Sequence, residues 1–206
     1  MMTANEIGGL DVSRETFERL QTYEALIRKW NPAINLVAKS TLAELWSRHI
    51  EDSAQIGAYL APEIRIWADF GSGGGLPGIV LAILALERSP DTAFHLVESD
   101  QRKATFLRQA AQTLGLKVQV HTQRVEVLAP LGADVVSARA LASLRMLCGF
   151  AARHLAPTGF AIFPKGANFV DEVEDARQEW NFDLDERVSL THSDARLLRV
   201  KSIHHV

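Results

Sequence analysis

Asp69-Phe70-Gly71-Ser72-Gly73-Gly74-Gly75-Leu76-Pro77-Gly78 stands between two apolar runs, Ile64 to Ala68 and Ile79 to Leu86. The first run has the composition of a strand. The second, opened by Pro77 near the favoured first helical position, reads as a helix. Gly71, Gly73 and Gly75 lack the Cβ that keeps a ligand off the backbone, and they tolerate positive φ. A strand, a glycine turn and a helix in this order let the turn lie flat against a bound group, with the free N–H groups of the helix close by.

Two registers compete for these glycines. Gly73-x-Gly75-x-x-Gly78 matches a dinucleotide fingerprint, but that fingerprint begins at the strand end, where Asp69 and Gly71 stand instead. Asp69-x-Gly71-x-Gly73-x-Gly75 resembles motif I of the class I S-adenosylmethionine-dependent methyltransferases. A second acid, Glu98, closes the run Phe94-His95-Leu96-Val97, roughly 20 residues onward, where an acid can accept from ribose hydroxyls of either cofactor. A glycine-rich turn that binds nothing is the third possibility. It leaves unexplained why so many glycines bear their entropic cost in one turn.

Of the 206 residues 47% are hydrophobic and 23% charged, which suits one globular domain with a small appendage. The net charge of −3 argues against wholesale coating of nucleic acid and confines any such contact to one face. The lone cysteine, Cys148, falls in an apolar helical run and is expected to be a buried thiol in a reducing compartment. No charged-then-apolar leader and no 18-residue apolar run is present, so a cytoplasmic protein without membrane segments is expected. No His, Cys, Asp or Glu group has metal-ligand spacing, and no metal is expected.

Read in order, Ser13 caps a helix with Phe17, Leu20, Tyr23, Ile27 and Trp30 on one face, ended by Asn31-Pro32. Thr41-x-x-Glu44 is a capping-box pattern for a second helix, carrying Leu42, Leu45 and Trp46 and reaching Leu60. Residues 1–62 thus read as an N-terminal helical extension packed on a core domain of residues 63–206. Strands at 64–69, 93–98, 117–121, 134–138 and 160–164 alternate with helices at 77–87, 101–114, 124–128, 141–154 and 169–180. Runs 183–190 and 196–203 lack a helix between them and form an antiparallel hairpin. The expected fold is α/β and Rossmann-like, a doubly wound, mostly parallel sheet with that hairpin at one edge. Ligands of such sheets lie outside the strands' carboxyl ends, so Asp69, Glu98, Arg139 and Lys165 should converge on one crevice.

Trp30-Asn31-Pro32-x-x-Asn35-Leu36, Arg48-His49-Ile50-x-Asp52-Ser53, the glycine turn with Leu76-Pro77-Gly78, Leu96-Val97-Glu98-Ser99, Arg124-Val125-Glu126, Ser137-Ala138-Arg139-Ala140 and Lys165-Gly166 occur in this order. Together they resemble the signature of the bacterial small-subunit rRNA guanine-N7 methyltransferases, the glucose-inhibited division protein B family, over about positions 17 to 200. The resemblance implies S-adenosylmethionine as cofactor, S-adenosylhomocysteine as product, and 16S rRNA as substrate in the loop near the decoding site. It places Gly71, Leu76, Val125, Glu126 and Arg139 in the cofactor site, with Glu98 on the ribose. The substrate would be met free, in the 30S subunit or in its precursor, by a monomer.

Guanine N7 carries an in-plane lone pair and no proton, so transfer needs no general base, and holding the reactants in line dominates. Arg139 is expected to contact the methionine carboxylate or guanine O6, with a structural ion pair as its rival. Lys165 is a candidate for RNA phosphate, against a solvated loop lysine. Arg48 and His49 are candidates for closing over the crevice or touching RNA, against a local pairing with Asp52. Arg102, Lys103, Arg108 and Arg145 are further cations for RNA or simply a solvated face. The competing functions are a class I methyltransferase of another substrate, a nicotinamide oxidoreductase, and a ribosome-assembly factor that does not turn over.

Overall fold

The structure is a computed structural model and describes residues 5–206. It opens with a strand pair absent from the helical reading of residues 1–62, β1 (Asn5–Ile7) and β2 (Leu10–Val12). Gly8 and Gly9 turn between them, both at positive φ (57° and 76°), the requirement of the two-residue hairpin turn whose twist matches its strands. Ile7, Leu10 and Val12 point into the core.

Helix α1 (Arg14–Ile34) begins where expected, with the Ser13 side chain accepting from Thr16 N–H at 3.1 Å. It does not stop at Asn31-Pro32. Proline removes a single hydrogen bond there, and the buried Ile34, together with Asn35 in the left-handed region (φ 49°) donating to the Asn31 carbonyl, keeps the last turn helical. Leu20, Tyr23 and Ile27 are fully buried, as their spacing predicts.

The second helix expected from Thr41 to Leu60 is broken into pieces. Lys39–Thr41 and Gln55–Tyr59 are 3-10 turns, Trp46–Glu51 is π-helical, and α2 (Asp52–Ala54) is a single turn. The Thr41 hydroxyl donates to the Ala38 carbonyl and approaches His49 Nε2 at 2.8 Å, so no capping box forms. Tertiary bonds of His49, Asp52 and Gln55 outweigh the local helical preference, and π segments concentrate where side chains must be re-aimed.

The strands are β3 (Ile66–Phe70), β4 (Ala93–Val97), β5 (Val118–His121), β6 (Ala133–Ala138), β7 (Leu155–Lys165), β8 (Trp180–Val188) and β9 (Arg196–His205). They form one sheet in the order β5-β4-β3-β6-β7-β9-β8. The first five run parallel, and β9 pairs antiparallel with both β7 and β8, which is the C-terminal hairpin read from the sequence. Helices α3 (Gly78–Arg88), α4 (Gln101–Leu114), α5 (Leu144–His154) and α6 (Phe169–Ala176) complete the wrap.

Two expectations fail on this side. Residues 124–128 form a turn, held because the Arg153 guanidinium donates to the Leu128 carbonyl and His154 Nε2 donates to the Val125 carbonyl. Pro157-Thr158-Gly159 does not precede β7 but lies inside it. The β6–β7 register jumps from Ala133↔Leu155 to Val135↔Phe160, absorbing the extra residues as a bulge.

Apolar clusters fill both faces of the sheet. Helix α3 is buried from Gly78 to Ala85 because the sheet covers one side and α1 the other. The N-terminal segment therefore shares one core with the sheet. No helix among the described residues is long and apolar enough to cross a membrane.

Candidate active site

The chain leaves β3 for β4 and β5 on one side and returns through β6 to the other. The order thus reverses between β3 and β6, and their carboxyl ends frame the crevice expected of such a switch point. Gly71, Gly73 and Gly75 sit there at φ 61°, 54° and 84°. Gly73 N–H donates to Glu98 Oε2 at 2.8 Å, and Asp100 N–H donates to Glu98 Oε1 at 2.8 Å. Glu98 thereby ties the turn to the end of β4. The Tyr23 hydroxyl of α1 donates to the Gly74 carbonyl from the opposite side. A Cβ on Gly74 would lie only 3.2 Å from Leu36 Cβ, so the N-terminal segment also shapes the turn.

Asp69 has a different place from the one its motif implies. It is fully buried and lines none of the cavities, accepting from Ser137 Oγ at 2.7 Å and from Gly78 N–H at 3.3 Å. Burial pushes its carboxyl up to about 6, with the hydrogen bonds of Ser137 and Gly78 pulling the other way. Raised above its unfolded value, this group favours the fold most at low pH, and its contribution is lost as pH climbs through about 6. Chemical denaturation should show stability falling from about pH 4 to about pH 6 through this group, with that component absent in Asp69→Asn. Asp69→Ala should cost about 1–3 kcal/mol for the orphaned donors.

Three cavities join along the crevice. One of about 370 Å³ is lined by Gly71, Gly73, Glu98, Lys103, Val125 and Glu126. Another of about 320 Å³ is lined by Leu36, His49, Gly73, Leu76 and Arg139. The third, about 530 Å³, lies beyond the ends of β6 and β7 between Asp52, Arg139, Lys165, Glu172 and His192. Ala140 lines all three. The first two fit an extended nucleoside cofactor. A Cβ built on Gly73 meets only the Gly71 carbonyl oxygen, at 3.7 Å, so the turn leaves its concave side free. Gly75 and Gly78 are glycine for packing instead, since a Cβ there would lie 2.5 Å from Ile79 Cγ1 or from Leu96 Cδ2. The dinucleotide register needs its second glycine, Gly75, open to the ligand, and that position is closed by Ile79 and Tyr23 instead.

Of the other sequence candidates, Arg139 lines the second and third cavities but is not free. Its guanidinium pairs with Asp52 Oδ2 at 3.3 Å and donates to His49 Nδ1 at 3.0 Å. The His49 imidazole, pushed down to about 4 by burial and then by Arg139, is neutral and accepts this bond, leaving Nε2–H to donate to Thr41. Arg48 pairs loosely with Glu44 at 3.8 Å and lines no cavity, offering only its carbonyl to Arg139 at 3.5 Å. Lys165 is not solvated. Its ammonium donates to Glu172 Oε2 at 2.6 Å and to the Ala142 carbonyl at 2.9 Å, with 9% of the side chain exposed. Cys148 is buried, its thiol pushed up to about 12 by burial.

The sequence reading missed Tyr23, Ser137 and Glu172. Ser137 stood inside the quoted Ser-Ala-Arg motif. Tyr23 was legible only as one aromatic on a helix face, and Glu172 as one of several acids on α6.

The rRNA small subunit methyltransferase G family profile matches residues 16–199. This chain belongs to that family. Among its methyltransferase G relatives, a protein of Cereibacter sphaeroides bearing the name ribosomal RNA small subunit methyltransferase G is 55% identical over 197 residues, 96% of this chain and 95% of that one. A namesake from a Ruegeria species is 53% identical, covering 96% of each chain. Among solved structures, a TehB-like SAM-dependent methyltransferase of Corynebacterium glutamicum superposes with a TM-score of 0.57 at 16% identity, over 89% of this chain and 98% of that one. A ribosomal protein L11 methylase of Lactobacillus delbrueckii gives 0.57 at 20% identity, over 72% and 76%. These likenesses show the class I methyltransferase fold. This chain is therefore an S-adenosylmethionine-dependent methyltransferase of small-subunit rRNA, as its motifs predict.

Proposed function

We propose that this chain methylates N7 of a guanine in 16S rRNA, in the loop near the decoding site, free or within the 30S subunit or its precursor. It would do so as a cytoplasmic monomer without a metal. The observation that carries this reading is the chemistry of the junction between the cofactor and acceptor cavities. There the shared lining is Ala140, with Leu141 and Ala142 beside it, and none of them can take a proton. The Arg139 guanidinium offers only donors, and both nitrogens of His49 are already engaged. An acceptor that must lose a proton finds no base on this shared stretch. Guanine N7 needs none.

Glu98 would hold ribose hydroxyls, Val125 would pack on the adenine, and Lys103 or Arg139 would meet the methionine carboxylate, all of them lining the two cavities. When bound, S-adenosylmethionine supplies a methyl group on a sulfonium, so that attack by the N7 lone pair leaves a neutral thioether and a cationic purine. The protein's part is positioning, which can be worth roughly 7–11 kcal/mol. Asp52 and His49 fix Arg139 at the meeting point of the cavities.

The test is methyl transfer to deproteinised 16S rRNA and to 30S subunits from cells lacking this activity, side by side. The methylated base is then located by reduction-dependent strand scission, which reports N7-methylguanosine. A single new scission site is expected. Methyl incorporation on another atom, or binding of cofactor with no transfer to either RNA, overturns the reading and favours another acceptor or a non-catalytic assembly role.

A further inference from the structure

We infer that Glu172 reads the Watson–Crick edge of the acceptor base and stabilises the charge that methylation creates on it. This inference rests on the guanine-N7 reading above. The third cavity holds two carboxylates, and they differ in what they have left to offer. Asp52 is spent: Oδ1 accepts from the Thr191 hydroxyl at 2.7 Å and from Gln55 Nε2 at 2.9 Å, and Oδ2 pairs with Arg139. Glu172 is half spent. Its Oε2 accepts from Leu144 N–H at 2.8 Å and from Lys165 at 2.6 Å, whereas Oε1 has no partner among the described residues. Lys165 in turn is anchored on the Ala142 carbonyl, so the carboxylate is held by β7 and α5 together. The result is an immobilised carboxylate lining the cavity, with one oxygen unpartnered among the described residues.

Guanine matches that oxygen. With N7 turned toward the cofactor side at Ala140, the Watson–Crick edge of the purine faces the adjoining wall, where Glu172 is bonded to Leu144 N–H and, through Lys165, to the Ala142 carbonyl. That edge carries the N1–H and N2 amino donors of guanine, and a carboxylate oxygen accepts from both. Adenine places an acceptor at N1 and is repelled. Flipped or looped bases are commonly read on this edge. Methyl transfer forms the N7–C bond and breaks the C–S bond, leaving the purine cationic and its N1–H and N2–H bonds more polarised. The bonds to Glu172 therefore strengthen as the reaction proceeds, the condition for lowering the barrier and not merely tightening binding.

Glu172→Gln is the decisive variant. The amide oxygen can still accept from Leu144 and Lys165, while an NH₂ replaces the free Oε1. The experiment compares wild type and Glu172→Gln on 30S subunits reconstituted with 16S rRNA carrying guanine or inosine, which lacks the N2 amino group, at the target position. On guanine, the variant should lose about 100-fold in kcat/KM, with part of the loss in kcat, while its affinity for S-adenosylhomocysteine and its Tm match wild type. Wild type should discriminate against inosine by about tenfold or more, and the variant should not discriminate. Unchanged turnover by the variant, equal use of guanine and inosine by wild type, or effects that simply multiply would each overturn the assignment. Mapping the wild-type product separates the two failures, because a methyl group elsewhere than guanine N7 overturns the function itself.

Discussion

Gly73→Ala should bind S-adenosylhomocysteine about 100-fold more weakly than wild type by calorimetry, while unfolding only a few degrees lower. Residue 73 sits at φ 54°, where an L side chain costs about 1–2 kcal/mol. Its Cβ would meet nothing of the protein closer than 3.7 Å and would project into the space shared by the two cofactor cavities. The damage therefore falls on the ligand. Gly75→Ala is the matched control with the opposite outcome. There the Cβ would sit 2.5 Å from Ile79 Cγ1 and 2.8 Å from Tyr23 Oη, so stability should fall by several kcal/mol, in the range of overpacked cores with added backbone strain. Wild-type affinity in Gly73→Ala would remove the glycine turn from the cofactor site.

Arg139→Ala should lower kcat/KM for 16S rRNA by at least about 100-fold, the scale of losing one preorganised charge at a reaction centre. The same change has a second readout away from activity. In the wild-type chain His49 is held down to about 4, below its unfolded value, so its contribution to stability is present above pH 6.5 and lost as pH falls toward 4. Removing Arg139 removes a charge that opposes protonation and leaves Asp52, which favours it. The imidazole should then titrate at higher pH by NMR, pair with Asp52, and contribute a shallower acid-side loss. Arg139→Lys keeps the charge but not the fork that grips Asp52 and His49 together, and it should recover only part of the activity. If turnover and the His49 titration are both unmoved in Arg139→Ala, the junction at Arg139 plays no part in transfer.

Much of this arrangement was legible in the sequence because alternation of apolar runs with capped helices is a local signal. Ser13 caps its helix where its chemistry says it should, and the helix expected at 101–114 has those bounds. The strand-end residues Glu98, Arg139 and Lys165 do reach the crevice, because a parallel sheet brings its carboxyl ends to one side. What failed was set at long range. Residues 39–59 carry good helical residues, yet bonds from Asp52 and Gln55 to the 189–191 loop break the helix into short pieces. Residues 124–128 are a turn because α5 grips their carbonyls from another part of the chain. Asp69 matched its motif in identity, but burial beneath the turn made it a brace. Partners were the hardest to foresee. Asp52 for Arg139 and Glu172 for Lys165 pair residues that no spacing connects.

The hydroxyl of Tyr23 on the Gly74 carbonyl changes what the first sixty residues are to the rest of the chain. They leave the ribosome before the loop they brace, and among the described residues no other N-terminal side chain hydrogen-bonds that loop. The N-terminal helix is thus a flank of the loop built in advance, and a polypeptide begun at the core strand would lack both that flank and the α1 side of the core around α3.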